Sequence, residues 1–69
     1  MTFGDAIFEL KDSKKVARKG WNGKGMYLYL HTFEGFLPCV VMVTAQGLHQ
    51  PGWLASQPDI LSDDWEVVC

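Results

Sequence analysis

Cysteine, histidine and long apolar runs are scarce in this 69-residue chain, and each scarcity excludes something. Two cysteines, Cys39 and Cys69, are too few for a disulfide framework, and no CxxC pair marks a zinc or redox centre. Reduced thiols are the expectation. His31 and His49 stand alone, whereas a catalytic zinc needs three protein ligands, so neither a metal nor a cofactor is expected. No apolar stretch approaches the roughly 20 residues of a membrane span. Residues 1–5 lack the basic flank and apolar core of a signal peptide, so a soluble intracellular chain, or one delivered into a cell, with no membrane partner is expected. Disorder is excluded by the opposite excess: 48% of the residues are hydrophobic, with three Trp, four Phe and two Tyr. One small domain, 1–69, has to form a single core, and self-association is a natural way to extend it.

Positive charge is missing from most of the chain. All six basic residues, Lys11, Lys14, Lys15, Arg18, Lys19 and Lys24, lie in the first 24 positions. Asp5, Glu9 and Asp12 offset half of them, leaving +3 there, while Glu34, Asp59, Asp63, Asp64 and Glu66 give the remainder −5. A solvated basic turn satisfies this pattern. So does a compact anion site, which suits a small phosphate ligand better than a long polyanion. Duplex binders spread their basic residues over a wide face and rarely carry net negative charge, so no DNA or RNA partner is expected.

The periodicity predicts a helix over 2–14. Thr2 and Asp5 have capping-box spacing, and Phe3, Ala6, Ile7 and Leu10 form one apolar stripe with Phe8 on its flank. A short strand over 15–19 places Val16 and Arg18 on one face and Ala17 on the other. Residues 20–25, with three glycines and an Asn-Gly pair, form a tight turn. A strand over 26–31 follows, apolar or aromatic on both faces, and therefore expected to be covered on both sides, the second cover being another subunit. After a loop over 32–38, a strand over 39–44 turns at 45–47 into a short strand over 48–50. Ser56 and Asp59 then have N-cap and N3 spacing for a short second helix, with Pro58 in its first turn. Residues 65–68 close the chain as a strand. Tight turns between strands imply an antiparallel sheet, so the fold class is α+β, with a longer N-terminal and a short C-terminal helix, homo-oligomeric.

Several residues carry possible chemistry. Trp21 and Trp53 sit at loop junctions, where an indole serves either as a stacking platform for a base or as a core plug; Trp65, inside a strand, reads as core. Arg18, Lys19 and Lys24 are candidate phosphate partners, and the amides of the glycine turn offer an anion nest. Asn22 presents a donor and an acceptor, or is simply a turn residue. Ser56, Gln57 and Asp59 cluster at the second helix start, a site for an anion or a ribose. Ser56 and Asp59 have capping as their alternative duty, Gln57 has none, and Asp59 suits ribose hydroxyls rather than phosphate. Asp63 and Asp64 are adjacent, which suggests either metal-assisted phosphate cleavage or, as is usual for paired acids after a helix, a solvated end. No Ser/His/Asp arrangement is evident, so catalysis finds little support.

Two stretches are more distinctive than composition requires: ARKGWNGKGM within 16–28, and WLASQPDIL at 53–61 followed by DWEVV at 64–68. With the opening Phe3-Gly4-Asp5-Ala6, they resemble the second Thoeris anti-defence family of small phage proteins. The resemblance spans roughly 2–30 and 53–68. Many family members have a longer, Pro-containing insertion after the second strand, where this chain has only 32–38. The resemblance implies a non-catalytic sponge: a homotetramer, or at least a dimer, that holds a cyclic ADP-ribose isomer such as glycocyclic ADP-ribose between subunits in the host bacterial cytoplasm. For some members it also implies capture of the cyclic oligonucleotides of CBASS. The implied ligand contacts are Arg18, Trp21, Asn22, Gly23, Lys24 and Met26 from the first stretch and Trp53, Ser56, Gln57 and Asp59 from the second, with Phe8 in the pocket or a subunit interface. Two rivals remain: an enzyme that cleaves cyclic nucleotides, and an inhibitor that binds a host defence protein directly.

Overall fold

The computed structural model describes residues 1–21 and 24–69. Helix α1 (Phe3–Lys11) leads into strand β1 (Lys15–Arg18), followed by β2 (Tyr27–His31), β3 (Cys39–Val43), β4 (His49–Pro51), a short helix α2 (Gln57–Leu61) and β5 (Trp65–Val68). The five strands form one antiparallel sheet in the order β4-β3-β2-β1-β5. The α+β class expected from the sequence is therefore the observed one.

Helix α1 begins where the sequence places it. The Thr2 hydroxyl accepts from Asp5 N (3.2 Å), and the Asp5 carboxylate accepts from Thr2 N (3.1 Å). Its end comes earlier than the predicted residue 14. Asp12 caps the helix and Ser13 takes a left-handed φ of 64°, a conformation an α-helix cannot continue. Lys14 instead folds back onto Glu9 at 3.1 Å.

Strand register builds the core. Val16 faces Leu28 and Leu28 faces Met42, so three apolar side chains line up across β1, β2 and β3. Ala6 and Leu10 of α1 pack onto this row, and Trp65 joins it from β5. The other sheet face carries Ala17, Tyr27, Tyr29, Val41 and Val43, as alternation along the strands requires. Its aliphatic members are buried and its tyrosines half-buried. Strand β4 includes Pro51, one residue past the predicted end. It lies at the sheet edge, where a missing N–H leaves no ladder bond unmade.

Helix α2 is held by its own capping box. Ser56 Oγ accepts from Asp59 N and the Asp59 carboxylate from Ser56 N, both at 3.3 Å. Five residues are too few to satisfy the backbone internally. The Trp65 indole N–H meets part of that need by donating to the Asp59 carbonyl at 2.9 Å.

Candidate functional site

Beyond the end of β1, the register Arg18↔Trp65 brings Gly20 and Trp21 beside the start of β5 and α2. Arg18 is the hub. Its Nη1 donates to Asp59 Oδ1 (2.8 Å) and its Nε to Asp64 Oδ1 (2.9 Å). The side chains involved are well shielded, with 16% of Arg18, 12% of Asp59 and 30% of Asp64 exposed. Asp64 also accepts from Gly20 N through Oδ2 (2.8 Å), and its carbonyl accepts from Lys19 N (3.1 Å). The expectation of a solvated end at Asp63-Asp64 therefore fails for Asp64, because the β1–β5 pairing delivers a guanidinium to it.

The titration behaviour follows from these contacts. The hydrogen bonds that Arg18 donates to Asp64 and then to Asp59 raise its pKa. The same bond from Arg18, helped by Gly20 N, holds the Asp64 carboxyl below the usual carboxylate range. For Asp59, burial opposes ionisation, but donors on Arg18, Trp21 and Ser56 outweigh it and the pKa is lowered.

Trp21 is fixed by two kinds of contact. Its indole N–H donates to Asp59 Oδ1 at 3.1 Å, the oxygen that also receives Arg18. Its ring stands edge-on to Trp65 (centroids 5.4 Å) and Trp53 (6.3 Å). Half-buried in this way, it is at once part of the aromatic cluster and part of the lining of an open hollow of about 450 Å³. Four of the residues implied by the family resemblance meet there: Arg18, Trp21, Lys24 and Met26. Lys19, Tyr27 and Glu66 complete the polar and aromatic part of the wall.

The other implied contacts are placed differently. Trp53 lies behind Trp21 against Phe3 and Trp65, while Ser56 and Asp59 cap α2. Asp59 receives Arg18, Trp21 and Ser56 on its two oxygens. Gln57 is exposed at the first position of α2. Phe8 is 71% exposed on α1 and does not line the hollow. Asn22 and Gly23 lie outside the described residues. Sequence reasoning did not single out Tyr27 or Glu66, for which alternation along β2 and β5 was the available signal, and it gave Asp64 no part in ordering the site.

A second hollow, of about 430 Å³, is walled by Phe33, Phe36, Cys39, Pro51 and Gly52. It offers almost no polar surface and no cation, so it is unsuited to a phosphate.

Comparison with known proteins places this arrangement. Residues 1–68 match the family described as Tad2-like, the Thoeris anti-defense 2-like domain. A curated relative, Thoeris anti-defense 2 of Bacillus phage SP01, is 30% identical over 84 aligned positions, which take in 99% of this chain and 94% of the relative. Since 84 positions are set against 69 residues, the relative has at least fifteen with no counterpart here. On this match across essentially its whole length, the chain belongs to the Thoeris anti-defense 2-like family.

Proposed function

We propose that this chain counters bacterial defence as a sponge: it binds a cyclic nucleotide messenger, a cyclic ADP-ribose isomer such as glycocyclic ADP-ribose, and holds it unaltered in the host cytoplasm. The observation that carries this reading is the Trp21 hollow in a member of an anti-defence family. Its volume falls in the range of about 300–1,000 Å³ usual for small-molecule sites. Trp21 offers an anchored aromatic surface for a base, a contact worth about 1–3 kcal/mol. Lys19 and Lys24 supply ammonium groups for the phosphates. Among the described residues, two of the five Arg18 donors are taken up, by Asp59 and Asp64.

Retention without turnover is supported by the lining itself. Among the described residues it holds the Glu66 carboxylate and the Cys69 thiol but no histidine or serine, so no serine–histidine pair faces the hollow. Assembly into a homotetramer accounts for the large apolar side chains left outside the core, including Phe8, Leu54 and Leu61. Phe8 then serves a subunit interface or the pocket of a neighbouring protomer.

The test is an effector assay. Glycocyclic ADP-ribose preincubated with stoichiometric protein should fail to activate the Thoeris effector, and heating the mixture should restore activation with messenger of unchanged chromatographic retention. Recovery of a cleaved product would make the protein an enzyme. Full effector activation before heating would overturn the sponge. A parallel arm with a cyclic oligonucleotide and its CBASS effector asks whether that second class is also bound.

A further inference from the structure

The geometry points to Asp64 as the positioning residue of the Trp21 hollow, a residue that shapes the site without lining it. This rests on the proposed sponge reading. Two chains of hydrogen bonds run from its carboxylate to Trp21. One passes from Oδ1 through Arg18 to Asp59 Oδ1 and ends on the indole N–H. The other passes from Oδ2 to Gly20 N, the residue next to Trp21 in the chain. The Asp64 carbonyl fixes Lys19 N between them. Trp21 is thereby held through its ring and through the residue that precedes it, alongside its packing on Trp53 and Trp65.

Gly20 provides an independent observation. Its φ is not in the left-handed region, so the backbone there does not require glycine. Space does. A Cβ at this position would stand 2.8 Å from Asp64 Oδ2 and 3.2 Å from Arg18 Nη2. Alanine at 20 therefore pushes on the ends of the Asp64 and Arg18 side chains with every charge retained, while Asp64→Asn removes the charge.

Both variants are to be studied by two-dimensional ¹H–¹⁵N NMR without ligand and by calorimetry with glycocyclic ADP-ribose. The expected result is that the Trp21 indole N–H resonance moves in Gly20→Ala and in Asp64→Asn alike. The Trp65 indole resonance, whose partner is the Asp59 carbonyl, should remain a single dispersed peak and report an intact fold. Affinity for the nucleotide should fall by about tenfold or more in both variants, the scale found when groups that orient a binding residue are lost. An unmoved Trp21 resonance in Asp64→Asn with the Trp65 signal preserved would overturn the positioning role, whatever happens to binding. Failure of the wild-type protein to bind the nucleotide would instead defeat the sponge reading, since the NMR arm contains no ligand.

Discussion

Trp65→Phe isolates the contact that ties the second helix to the sheet. Trp65 is 2% exposed, and its N–H is the donor that α2 finds for the Asp59 carbonyl. Phenylalanine keeps an aromatic ring against Phe3, Trp21 and Trp53 but cannot donate. Leaving a buried acceptor without its partner costs about 1–3 kcal/mol, and the space vacated by the smaller ring adds to that. A domain of this size loses about 4–8 °C of melting temperature per kcal/mol, so a drop of about 5–20 °C is expected. Trp65→Ala, at about 3–5 kcal/mol, would consume most of what one small core supplies and should leave little folded protein. The assay is thermal denaturation followed by circular dichroism, with all variants at one protein concentration, because self-association makes the midpoint concentration-dependent. A midpoint for Trp65→Phe within about 2 °C of wild type would refute the assignment of this hydrogen bond as a structural anchor.

Two further outcomes follow from the same region. Ser56→Ala removes the hydroxyl that receives Asp59 N and should cost about 0.5–2 kcal/mol in chemical denaturation, whereas Gln57→Ala, exposed and outside the capping box, should change stability little. Asp59 and Asp64 both have lowered folded-state pKa values, so the unfolded chain binds more protons than the native one on the acid side. Their contribution is complete above about pH 4 and is lost as pH falls through the folded values, so the melting temperature should decline on acidification below that point. Asp64→Asn should flatten part of that decline, and an identical acid profile for the variant would show that the pairing with Arg18 does not set it.

What the sequence revealed, and what it hid, divides by distance along the chain. Both capping boxes are legible because each needs only two polar residues three positions apart, Thr2 with Asp5 and Ser56 with Asp59. The strands are legible from alternation, and Trp65 reads as core from its place within one. Boundaries that depend on a single backbone torsion or on edge position were not readable: Ser13 ends α1 early, and Pro51 sits in β4 because nothing pairs outside it. The site shows the same division. The ARKGWNGKGM stretch names Arg18, Trp21, Lys24 and Met26, and these do share one hollow. The partner that fixes Arg18, however, lies 46 residues away and is delivered by strand register. An acidic pair after a short helix is indistinguishable from a solvated end until the β1–β5 pairing is known.

If the chain retains a cyclic nucleotide without altering it, as proposed, mass spectrometry of what it carries will detect that nucleotide. Protein purified from cells expressing an active Thoeris signalling enzyme should release, on denaturation, a cyclic ADP-ribose isomer of unaltered mass, and protein from cells lacking that enzyme should release none. Protein from signalling cells that carries no nucleotide, or only linear ADP-ribose, would contradict the account.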